Sequence, residues 1–139
     1  MLTLVSSRSS VAAQQTWEDN GFASANAHRL VCLLLDALQQ AIRASQLAMT
    51  RGDVVTKCSQ IRIALRILDE GLSSSLNLHE GGELADNLNN VYNYCIDKLV
   101  HANARNDAAA LEEVSLLMER ITNGWKQIRE PGPAYLRAV

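Results

Sequence analysis

Proline is absent from the first 130 residues of this chain; Pro131 and Pro133 are the only two. A proline inside a helix removes a backbone hydrogen bond and clashes with the preceding turn, so a stretch this long without one leaves room for long helices. Apolar residues fill that stretch at helical spacing. Leu30, Val31, Leu34, Leu35, Leu38, Ala41, Ile42 and Leu47 recur at i, i+3 and i+4, and so do Cys58, Ile61, Leu65, Leu68 and Leu72. Leu84, Leu88, Val91, Tyr92, Cys95, Leu99 and Ala102 form a third stripe. Leu111, Val114, Leu117, Met118, Ile121, Trp125 and Ile128 form a fourth. Each stripe predicts an amphipathic helix with one face turned to a shared core.

Helix-ending residues separate the stripes. The first helix is predicted to open at Asn26, a good N-cap, and to end at Gly52 in a left-handed cap. Asp53 then caps a second helix over 54–76, with Lys57, Arg62 and Arg66 on its solvated side and Ser73, Ser74 and Ser75 weakening its end. Residues 78–82 connect to a third helix over 83–104, and Asn106-Asp107 breaks that helix and caps a fourth over 108–129. Glu112 and Glu113 near the start of the fourth helix, and Lys126 and Arg129 at its end, suit its dipole. Four long helices with short connections predict an all-α fold, an antiparallel up-down four-helix bundle. Residues 12–21 could add a short fifth N-terminal helix ending at Gly21, anchored by Trp17 and Phe22. The expected division is a flexible N-terminal segment over 1–24, a bundle domain over 25–130 and a tail over 131–139.

Composition narrows the function. A length of 139 residues suits one domain, and 47% hydrophobic residues suffice for one core. A net charge of −2 gives no electrostatic case for nucleic acid. Cys32, Cys58 and Cys95 lie in separate predicted helices without a CxxC pair, which suggests buried thiols in a reduced compartment. No apolar run approaches the roughly 18 residues that span a bilayer, and Met1 to Ser10 lack a secretory core, so stable membrane insertion is not expected and a cytoplasmic location is.

Chemistry is hard to find. His28, His79 and His101 form no His-x3-His or Glu-x-x-His pair, so they read as surface or capping residues, and no metal or cofactor is expected. No serine lies in a GxSxG turn, and Gly81-Gly82 lacks the Lys-Ser/Thr of a phosphate loop. No catalytic residue is assigned. What remains is surplus apolar surface: Ile63 and Ile67 widen the second stripe, and Tyr94 and Ile96 the third. It fits either a wide core or a groove for a partner helix, and the pattern does not separate the two.

An ordered set of residues carries a resemblance. It begins with Ala25-Asn26-Ala27, Leu30 to Leu35 and Asp36-Ala37. It continues through Ile67, Leu68, Gly71, Leu72, Ser75-Leu76, Gly82-Glu83-Leu84, Asn87-Leu88 and Tyr92-Asn93-Tyr94. It ends with Leu99, Ala102-Asn103, Asn106-Asp107, Glu112-Glu113-Val114, Leu117-Met118 and Trp125. From about residue 24 to residue 128 the chain resembles the flagellin-specific export chaperones (FliS). The resemblance implies a helical bundle without enzymatic activity that binds the disordered C-terminal segment of flagellin and works with flagellar export gate components. It also implies Ile63, Ile67, Leu84, Leu88, Val91, Tyr92 and Tyr94 as client contacts, with Trp17 and Phe22 as a cover over the empty groove. Leu88, Val91 and Tyr92 fit the core stripe equally well. The chain departs from the family pattern at Leu35 and Ala37, where an aromatic and a glycine are usual, at Ala27 in place of a proline, and in an N-terminal tyrosine that is absent. Those departures bear on which client is bound: flagellin, or for a helical adaptor the helix of another protein. An open groove would allow a monomer or a weak homodimer.

Overall fold

The computed structural model describes residues 21–76 and 78–128. Among them all regular structure is helical: α1 Gly21–Arg51, α2 Val54–Arg66 continuing as a π-helical segment Ile67–Ser73, α3 Leu78–Arg105 and α4 Ala108–Lys126. α1 packs on α2 and α4, α3 packs on α2 and α4, and the π segment touches both α1 and α3. The helices therefore close in chain order into the expected antiparallel bundle. Leu35, Leu38, Ile42, Ile61, Leu68, Leu99, Leu111 and Met118 fill its centre with no exposed surface.

Two corners at one end of the bundle share one chemistry. Gly52 takes φ 72° and Asn106 takes φ 50°. Glycine enters this left-handed region freely, and asparagine does so more readily than other residues. Asp53 N then donates to Ala48 O at 2.9 Å and Asp107 N to Ala102 O at 3.1 Å, closing both helix ends. The same two aspartates start the next helices: Thr56 N donates to Asp53 Oδ1 at 3.1 Å and Ala110 N to Asp107 Oδ1 at 3.2 Å. Both stops and both caps stand where the residue types predict them.

The Thr56 bonds hold the Asp53 carboxyl below its ordinary value. A carboxyl lowered in the folded state stabilises above its unfolded value and loses that contribution as pH falls through the folded one. An Asp53→Ala variant should thus melt below the wild type at neutral pH, and the gap should narrow below about pH 4 as the carboxyl takes up its proton. Thermal melts across pH check this; a gap undiminished at about pH 2 would place its origin outside the charge of the carboxylate.

Four local expectations change. Lys57 is not on a solvated side but 4% exposed. Its Nζ donates to Asn103 O at 3.0 Å and to Asn106 Oδ1, so an α2 side chain satisfies the end of α3. The long aliphatic stem can be buried because the ammonium finds acceptors there. The second helix does not run regularly to 76: it widens into the π segment at Ile67. A Cβ on Gly71 would stand 3.2 Å from Leu34 Cδ2, so glycine permits the approach of this segment to α1. Ser75 Oγ donates to Leu72 O at 2.8 Å and Ser74 Oγ to Glu70 O, so hydroxyls take up carbonyls at the helix end. Residues 78–81 are not an open connection; they are helical and precede a break at Gly82, with φ 58° and ψ −138°. Finally, α1 is already helical at Gly21, ahead of Asn26, since nothing in Ala23-Ser24-Ala25 interrupts a helix. The expectations for residues 1–20, including Trp17, for the Phe22 side chain and for residues 129–139 lie outside the described residues.

Candidate partner-binding surface

The sequence-derived contact residues separate by burial. Tyr92 is 3% exposed and belongs to the core, where burial pushes its hydroxyl up to about 12. Ile67, Leu88 and Val91 are half-buried and pack on that core. Ile63 at 45%, Leu84 at 43% and Tyr94 at 43% stand exposed. Exposed apolar side chains at these three positions are the part of the set that a partner could reach.

They do not form one patch. Asn103 marks the seam between α2 and α3, because it accepts from Lys57 Nζ through its carbonyl and from Cys58 Sγ at 3.3 Å through its side chain. At about 100° per residue, Ile63 lies roughly 140° round α2 from Cys58. Tyr94 lies roughly 180° round α3 from Asn103. Ile63 therefore turns away from α3, and Tyr94 turns away from α2. On α3, Leu84 and Val91 fall within about 20° of each other, with Tyr94 further out on the same side. One flank is thus Leu84, Val91 and Tyr94 on the α3–α4 side, with Leu88 between it and the α2 seam, roughly 60° from Asn103, and the other is Ile63 with Ile67 on α2.

The α3–α4 flank ends in a polar cluster. Tyr94 donates its hydroxyl proton to Glu113 of α4. Lys98 Nζ lies 3.4 Å from Glu113 Oε1 and 5.6 Å from the centroid of the Tyr94 ring. The Glu113 hydrogen bond raises the Tyr94 hydroxyl, and the Tyr94 bond in turn lowers the Glu113 carboxyl.

The α1–α4 seam is closed by a reciprocal pair. Trp125 Nε1 donates to His28 O at 3.2 Å, and His28 Nε2 donates to Trp125 O at 2.9 Å. The two rings stack with centroids 5.2 Å apart at 11°. Lys126 and Asp36 pair at 2.7 Å on the same seam. His28 thus caps the end of α4, and Trp125, 6% exposed, anchors the core as expected of it. Among the described residues no group of three or more His, Cys, Asp or Glu could hold a metal ion, and no helix is long and apolar enough to cross a membrane.

Part of the exposed apolar surface is not signalled by the sequence pattern. Leu30 and Leu47 fit the first core stripe, yet they are 40% and 51% exposed, and Leu33, Val55, Val100 and Leu116 are more than half exposed. On a helix already rich in leucine, the 3.6-residue period admits more positions than two packed neighbours can cover.

The family model for flagellar protein FliS matches residues 9–132. The chain belongs to this family. It is 40% identical over 117 residues to the flagellar secretion chaperone FliS of Salmonella typhimurium, covering 84% of this chain and 87% of that protein. It is 37% identical over 115 residues to the flagellar secretion chaperone FliSB of Pseudomonas aeruginosa, covering 83% and 90%. It is 34% identical over 116 residues to the flagellar secretion chaperone FliS of Escherichia coli K12, covering 84% and 85%. Similarity along most of both chains, at these identities, makes FliS a family of flagellar secretion chaperones to which the whole bundle belongs, and not an enzyme class. The all-helical architecture derived above is in keeping with it.

Proposed function

We propose that this flagellar export chaperone binds the disordered C-terminal segment of flagellin in the cytosol, keeps flagellin from polymerising early and helps deliver it to the export gate. The match to the FliS family over residues 9–132 is the observation that carries the reading. Exposed Ile63, Leu84 and Tyr94, with half-buried Ile67, Leu88 and Val91 beneath them, support an apolar client surface. Tyr92 serves that surface from the core. Because the two apolar flanks lie on different sides of the bundle, the suitable client is an extended segment that folds along one helix face after another. Its ordering entropy is offset by apolar burial, as in other coupled folding and binding. No covalent step is involved.

Titration calorimetry with flagellin from the same cell, intact and lacking its C-terminal segment, tests this. Tight binding to intact flagellin alone, with a negative heat-capacity change, is expected. Equal binding to both forms would remove the C-terminal segment as client.

A further inference from the structure

We infer that Glu113, on α4, is a positioning residue for client binding: its carboxylate holds the Tyr94 ring on α3 in the orientation that meets the client. The inference rests on the client reading above and adds a residue outside the contact set. Tyr94 is 43% exposed, and an untethered ring on such a face would turn among its rotamers. Here the hydroxyl at the tip of the ring donates to Glu113 on the neighbouring helix. Lys98, one turn along α3 from Tyr94, pairs with the same carboxylate at 3.4 Å and sets its Nζ 5.6 Å from the ring centroid. A single carboxylate therefore fixes both the tip of the ring and the cation at its side.

The two groups are matched in protonation at neutral pH. The hydrogen bond from Tyr94 keeps the Glu113 carboxyl low, and its acceptance by Glu113 keeps the tyrosine hydroxyl high, so an ionised acceptor faces a protonated donor. Exposed contacts of this kind add little to folding stability, because water and salt screen them. Their effect on binding is different. A ring that is already oriented loses less freedom when the client covers it, and the covered bonds strengthen as water leaves.

The test is the affinity of the full chain for intact flagellin from the same cell, measured for Tyr94→Ala, Tyr94→Phe, Glu113→Ala, Glu113→Gln and the Tyr94→Phe/Glu113→Ala double variant, with a thermal melt of each. Tyr94→Phe and Glu113→Ala should each weaken binding about three- to tenfold. The double variant should lose no more than either single one, because each removes the same tether. Glu113→Gln keeps an acceptor for the hydroxyl and should retain most of the affinity, while the melting temperatures stay close to the wild type. Wild-type affinity in Glu113→Ala, or losses that add in the double variant, would overturn the inference and leave the client reading standing. Wild-type affinity in Tyr94→Ala would overturn the inference together with the contact at Tyr94, and an unaltered chain that fails to bind flagellin would overturn the client reading itself.

Discussion

Replacing Trp125 with alanine should lower the unfolding free energy by about 3–5 kcal/mol, the range for removing a large buried aromatic side chain. The loss has three sources. The indole is 6% exposed, so its removal leaves a cavity at the end of α4. The carbonyl of His28 loses the indole N–H, its donor across the α1–α4 seam. The His28 ring loses the face it stacks on at 5.2 Å. Since a domain of this kind holds only about 5–15 kcal/mol in total, the variant would stand near its unfolding threshold. Urea unfolding followed by circular dichroism reads the change. His28→Ala should cost less, about 1–2 kcal/mol, because it keeps the indole in the core. A Trp125→Ala loss below about 1 kcal/mol would mean that the seam is held by other contacts.

The second large effect is on binding. Ile63→Asp and Leu84→Asp should each weaken the complex with intact flagellin by more than about thirtyfold if these side chains are central anchors, the loss that defines a strong hot spot. A carboxylate placed under a closing apolar interface has to shed its water without gaining a partner. Both positions are exposed, so the fold should survive and melting temperatures should move little. Because Ile63 and Leu84 lie on different flanks, their losses should add in the double variant. Fluorescence anisotropy with a labelled flagellin C-terminal segment measures both. Wild-type affinity in each variant would remove these flanks as the client surface, and a loss confined to one variant would assign the segment to that flank alone.

Much of the architecture is legible in the amino-acid order. The four apolar stripes, the stops at Gly52 and Asn106 and the caps at Asp53 and Asp107 all depend on neighbours within five residues in the chain. Gly82 stands between: residues 78–82 read as a connection, but the structure keeps only the break at Gly82 and makes 78–81 helical. Lys57 departs from its local pattern for the opposite reason. A lysine beside arginines belongs by that pattern to the solvated side, and only the arrival of the α3 corner supplies the acceptors that allow it to be buried. The close approach of the π segment to α1 is hidden in the same way, since nothing local to Gly71 shows that Leu34 would stand 3.2 Å from a Cβ there.

The candidate surface divides along the same line. Apolar periodicity on α2 and α3, together with the family resemblance, marks Ile63, Ile67, Leu84, Leu88, Val91, Tyr92 and Tyr94 as candidates. It does not separate them, because a residue's place on its own helix does not say which neighbouring helix covers it. Packing makes Tyr92 core, leaves Ile63, Leu84 and Tyr94 exposed, and stands the exposed three on two flanks. Packing also brings Glu113 to the Tyr94 hydroxyl across 19 residues of chain. The sequence by itself determined helix order, the helix ends at the Gly52-Asp53 and Asn106-Asp107 corners and the family, since each rests on local backbone chemistry or on residue order. Only the tertiary structure decided which apolar side chains stay exposed, because exposure depends on the angle at which whole helices meet.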